Sequence, residues 1–108
     1  MEELKQILTI EVPVETTLHD WSQGKGKEVI FPELLIGCEE LLYHDLEKVY
    51  CLKVITYENG RQDNIDFIVR RDGIENTLEK IMEWGLETEH YLLCSRVRDL
   101  NTILEKEQ

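Results

Sequence analysis

Residues 49–71, VYCLKVITYENGRQDNIDFIVRR, limit the fold more than any other segment, because apolar and polar side chains alternate on both sides of an Asn-Gly pair. Asn59-Gly60 suits a two-residue turn with positive φ at both positions, whose twist matches a pair of antiparallel strands. A turn of that length sets the register. Glu58 then lies opposite Arg61. One face pairs Val54 with Ile65, Leu52 with Phe67 and Tyr50 with Val69, and the other pairs Lys53 with Asp66 and Cys51 with Ile68. The evenly spaced charges, which resemble a working site, are accounted for by cross-strand pairing worth about 0.2–1 kcal/mol per opposite-charge pair. The pattern predicts a β-hairpin over about 48–57 and 63–71.

Other elements follow from period and punctuation. Leu4, Leu8, Ile10 and Val12 alternate with polar neighbours as a strand does, and Pro13 ends or bends it. Residues 16–28 read as a loop, with one helical turn around Leu18 to Trp21, and the apolar run up to Phe31 as a short strand. Leu34, Leu35, Cys38, Leu41 and Leu42 form a helical stripe that starts at Pro32, or only after Gly37, since glycine weakens a helix by up to about 1 kcal/mol. After the hairpin, Asp72 with Glu75 three residues on reads as a capping box. Ile74, Leu78, Ile81 and Met82 make the buried stripe of the helix it opens, and Gly85 suits a left-handed C′ position with Leu86 folding back on Ile81. Leu93, Val97, Leu100 and Leu104 continue at helical spacing, which favours a last helix starting near Thr88 over a strand at residues 89–97. The expectation is a single α+β domain over 1–108: an antiparallel sheet around the hairpin, an N-terminal strand, and two or three helices packed on it.

Composition narrows the function classes. Twelve Lys and Arg against 23 Asp and Glu give a formal charge of -11, which repels nucleic-acid phosphates and anionic lipid and favours a basic protein as partner. Three cysteines cannot all pair within the chain, and no apolar run near the N-terminus has the length of a signal segment or membrane span, so a cytoplasmic, reducing location is expected. His44 between Cys38 and Cys51, and His90 near Cys94, lack the paired spacing of a zinc site, and neither a metal nor a cofactor is expected.

Catalytic constellations fare no better. The string Gly24-Lys25-Gly26-Lys27 continues into Glu28 where a phosphate loop needs Ser or Thr and then a helix. Glu58, Asp63, Asp66 and Lys53 resemble a hairpin nuclease set, but alternation puts Asp63 and Asp66 on opposite faces, where they cannot share a cation. Each Cys sits in or beside an apolar run, where burial raises a thiol's pKa, and adjacency of His19 and Asp20 in sequence does not make them face each other. No enzymatic activity is expected.

The feature that stability alone does not explain is acidic. Glu75, Glu79 and Glu83 fall one helical turn apart, where like charges cost a few tenths of a kcal/mol each, and Lys80 offsets this only in part. Segments 1–20, 31–50 and 73–90 each carry one Lys against five acids, whereas 51–72 balances four against four. With the helices side by side on the sheet, Glu75, Glu79, Glu83, Glu39 and Glu40 would share one broad negative surface. The leading expectation is a protein that binds a basic partner through it, as an inhibitor of a nucleic-acid-handling enzyme or an immunity partner of a toxin. The alternative is an assembly component that forms homodimers through an apolar second face of the hairpin, made of Val49, Cys51, Ile55, Tyr57 and Ile68.

Overall fold

A computed structural model describes residues 9–11, 24–58 and 61–107. Their order is β1 (Thr9–Glu11), α1 (Lys27–Tyr43), β2 (Lys48–Glu58), β3 (Arg61–Arg70), a 3₁₀ turn (Arg71–Gly73), α2 (Ile74–Glu87) and α3 (Tyr91–Lys106). The class is α+β, built on an antiparallel hairpin and three helices. The sheet order is β1-β2-β3, and β1 pairs parallel with β2, with Ile10 beside Val54. The sheet is therefore mixed, and α1 is the crossover helix that parallel neighbours require. Residues 4–8 and 12 of the expected N-terminal strand, the helical turn expected around Leu18 to Trp21, and His19-Asp20 lie outside the described residues.

From Glu58 opposite Arg61 to Leu52 opposite Phe67, the hairpin has the register expected from a two-residue connection. Below that point it slips by one. Tyr50 faces Ile68 and Val49 faces Val69, so Cys51 is an extra, bulged residue, and the expected pairs Tyr50 with Val69 and Cys51 with Ile68 do not form. A bulge reverses the alternation of faces along one strand. Its consequence is that Val49, Cys51, Leu52 and Val54 are all buried.

Helix α1 contains Pro32 inside it, and the run expected as a short strand forms its first turns. Ile30, Phe31, Leu34, Leu35 and Cys38 continue one apolar pattern across the proline, and their burial offsets the loss of the amide that Glu28's carbonyl would have accepted. Most of the circumference of α1 is at least half-buried, because it packs on β2 and β3 on one side and on α2 and α3 on the other. Gly37 lets it approach the sheet closely: a Cβ there would overlap Cys51 Sγ and lie 3.4 Å from Val69 Cγ2.

Helix α2 begins at Ile74 with Gly73 as N-cap and no side-chain capping bond, so Asp72 lies in the 3₁₀ turn and the expected capping box does not form. The helix also runs past Gly85. Its C′ residue is Glu89, at φ 62°, with His90 N–H donating to Gly85 O at 2.8 Å and Glu89 N–H to Leu86 O at 3.3 Å. These two bonds are the Schellman pattern displaced four residues beyond the expected glycine. Gly85 serves packing instead, since a Cβ there would lie 2.7 Å from Cys94 Sγ and 2.9 Å from Leu93 Cδ2 at the start of α3. Residues 91–97 are helical, so the strand alternative for 89–97 does not hold.

The core joins both layers: Leu35, Cys38 and Leu41 of α1, Leu52, Val54 and Val69 of the sheet, Leu78 and Ile81 of α2, and Val97 and Leu100 of α3 are fully buried. Trp84 ties the helices together, stacked on Phe31 at 5.3 Å and on His90 at 4.7 Å between ring centres. Arg71 closes the opposite junction. Its Nε donates to Leu46 O at 3.1 Å, and its Nη atoms reach Asp45 at 2.8 Å and Glu107 at 3.3 Å, linking the α1–β2 turn to the end of α3.

Candidate partner-binding surface

The acidic residues are dispersed by the packing of α1. With α1 enclosed, α2 and α3 turn outer sides to solvent; on that of α2 Glu75, Glu79 and Glu83 are all exposed, whereas that of α3 carries Arg98 and Lys106 as well as Asp99 and Glu105. The broad negative surface expected from two helices side by side is thus reduced to the α2 row and the exposed ends of α1. Glu40 is exposed, with His44 Nε2 at 3.9 Å. Glu39 is not part of a free acidic face: Arg96 of α3 grips it with two bonds, Nε to Oε2 at 2.9 Å and Nη2 to Oε1 at 2.6 Å. That hydrogen-bonded contact raises the Arg96 pKa against the opposing effect of burial.

The apolar second face is smaller than expected, for one local reason. The bulge turns Val49 and Cys51 into the core, leaving Ile55 and Ile68 half-buried on the outer face beside Tyr50, and the side chain of Tyr57 lies outside the described residues. The same face carries Lys48 opposite Arg70 and Lys53 opposite Asp66. It is mixed in character, not a continuous apolar interface.

Cys38 and Cys51 are held as buried thiols. Burial is the main cause that pushes the Cys38 and Cys51 thiols up to about 12, Cys38 being raised further by its neighbour Cys51. Such thiols are almost wholly protonated at neutral pH and make poor nucleophiles. Among the described residues no three His, Cys, Asp or Glu side chains converge to hold a metal, and Asp66 and Lys53 face each other across the hairpin as a pair. Glu58 and Asp63 have side chains outside the described residues. The Gly24-to-Gly26 turn does lead into a helix, contrary to the strand expected there, but Glu28 occupies its first turn, where its carboxylate competes with any anion.

Sequence reasoning missed the corner between α2 and α3. Leu86, Tyr91 and Leu92 are exposed there by 55%, 62% and 86%, beside an open hollow of about 500 Å³ lined by residues 89–93. A signal was present: Leu92 falls off the stripe of Leu93, Val97 and Leu100, and no Lys or Arg occurs between Lys80 and Arg96. No described helix is long and apolar enough to cross a membrane. No protein-family model, curated protein or solved structure matches this chain.

Proposed function

We propose that this chain acts without catalysis of its own, by binding a basic protein through the outer side of α2, with Glu40 as an additional contact. In concrete terms it is an inhibitor that occupies the cationic cleft of a nucleic-acid-handling enzyme, or an immunity partner of a basic toxin. The observation that carries this reading is the solvent-exposed row Glu75, Glu79 and Glu83 along the outer side of α2, which is interrupted by no cation but Lys80. One helical turn is ~5.4 Å, within the range of phosphate spacings along a nucleic-acid strand, so such a row can engage Lys and Arg placed to grip phosphates. The formal charge of -11 adds long-range attraction to a cationic partner. The cytoplasm is the compartment that suits three unpaired thiols.

The test is capture from a lysate of the source cell, with retained proteins eluted by a salt step and compared between the parent and Glu75→Gln/Glu79→Gln/Glu83→Gln. A basic protein that the parent retains at low salt, releases at high salt, and the variant fails to retain supports the reading. Retention of the same proteins by both chains, or retention indifferent to salt, refutes it. Homodimer formation through Ile55 and Ile68 is checked in parallel by sedimentation of Ile55→Lys.

A further inference from the structure

The α2–α3 corner combines three features found together nowhere else among the described residues. Tyr91 and Leu92, consecutive at the start of α3, are both largely exposed, and Leu86 is exposed just before the turn. Beside them is the hollow of about 500 Å³ formed by Glu89, His90, Tyr91, Leu92 and Leu93. Every full charge in this part of the chain is negative: Glu83, Glu87 and Glu89 are exposed, with no Lys or Arg from residue 81 to residue 95.

The corner is held rigidly enough to recognise a shape. The Schellman bonds close the turn, Thr88 Oγ1 donates to Trp84 O at 2.7 Å, and His90 lies flat on Trp84 with its Nδ1 2.6 Å from Thr88 Oγ1. Since the Thr88 hydroxyl proton is engaged by Trp84 O, His90 Nδ1 is the donor in the second contact. Gly85 and Cys94 pack in close contact beneath.

We propose that this corner is an anchor site for a short basic, amphipathic segment of a partner protein, one that places an apolar side chain against Tyr91 and Leu92 and Lys or Arg beside Glu83, Glu87 and Glu89. This rests on the acidic-surface reading above and gives it a specificity element. Charge complementarity selects the occupant. An anionic membrane surface is repelled, and a second copy would bring the same carboxylates against each other. Size agrees, because three exposed side chains and one hollow suit a single inserted segment, whereas a stable dimer needs about 800 Å² from each partner.

The probe is a fluorescein-labelled amphipathic peptide of Leu and Lys, compared by anisotropy with a peptide of equal charge in which Ser replaces Leu. Because one or two apolar side chains leave water on binding, the full-length parent should prefer the Leu/Lys peptide by roughly 10-fold or more. Tyr91→Gln/Leu92→Gln, which alters exposed positions and keeps the charge, should abolish that preference and leave Ser/Lys binding unchanged. Persistence of the preference in this variant overturns the proposal. So does a dimer of the parent that the same variant dissolves, since the occupant would then be a second copy. The Glu75→Gln/Glu79→Gln chain, which leaves the anchor's Glu83, Glu87 and Glu89 intact, separates the two ideas. Undiminished Ser/Lys binding by that chain counts against the acidic row while leaving the anchor standing, and lost charge-driven binding with no Leu preference in the parent does the reverse.

Discussion

Gly37→Ala tests the bulge and the packing of α1 on the sheet in one substitution. Two effects oppose each other. Alanine in a helix interior is favoured over glycine by about 1 kcal/mol, through helix propensity and a less disordered unfolded chain. Against this, the new Cβ would overlap Cys51 Sγ and sit 3.4 Å from Val69 Cγ2. Cys51 is fully buried at the bulge, with its thiol directed to Val49 O at 3.6 Å, so the sulfur cannot leave without moving α1 or breaking that contact. Overpacking of this kind costs about 1–3 kcal/mol, and with an overlap against a nearly fixed atom the upper part of that range applies. The expected net loss is about 1–2 kcal/mol, a fall in Tm of roughly 5–10 °C for a domain this small.

The decisive comparison is the double variant. Cys51→Ala alone leaves a small void, but in Gly37→Ala/Cys51→Ala the new methyl enters the space the sulfur has left and the helix-propensity gain is realised. Gly37→Ala should therefore destabilise the parent and stabilise the Cys51→Ala background, a reversal of sign measurable by urea unfolding, with a coupling of about 2 kcal/mol. A Gly37→Ala chain at least as stable as the parent, or a substitution that costs the same in both backgrounds, would refute the placement of Cys51 beneath Gly37.

Two further predictions concern charged groups. Arg71→Met removes a charged donor from Leu46 O together with the contacts to Asp45 and Glu107, and should cost about 1.5 kcal/mol in urea unfolding, most of it from the partly buried carbonyl, since the carboxylate partners are solvent-exposed; Arg71→Lys should recover only part, lacking the planar fork. Glu33 has a buried carboxylate oxygen with no hydrogen-bond partner among the described residues, and burial raises its pKa. A raised folded-state value means that the protonated form is the better-tolerated one, so Glu33 lowers stability above that value and ceases to do so as pH falls through it. Glu33→Gln should thus be more stable than the parent at pH 7, with the advantage shrinking toward acid pH; an advantage independent of pH would show that charge is not the cause.

The acidic row was legible because one helix supplies it at a single spacing, and its exposure follows from the apolar stripe on the other side of the same helix. Glu39 looks identical to Glu40 in sequence, yet its carboxylate is committed to Arg96, which is 57 residues away. No local pattern encodes such a pairing. The corner at Tyr91 and Leu92 was obscured for a related reason: an apolar residue off the stripe is exposed only if nothing else packs over it, and that depends on where the other elements stop.

The sequence by itself determined the hairpin and the upper half of its register, the existence and faces of α2 and α3, and the net charge, because each of these depends on neighbours within a few residues; the turn expected at Asn59-Gly60 lies outside the described residues. Tertiary structure decided the rest. Cys51 bulges because Val49 and Leu52 both gain by entering the core beneath α1, and α1 runs through Pro32 because burial of Ile30 and Phe31 outweighs a lost backbone bond. Gly85 stays helical because α3 packs against it, and the turn to the left-handed region falls to Glu89 instead. In each case a local preference of about 1–3 kcal/mol meets long-range burial of comparable or greater worth, and only the folded packing determines which prevails.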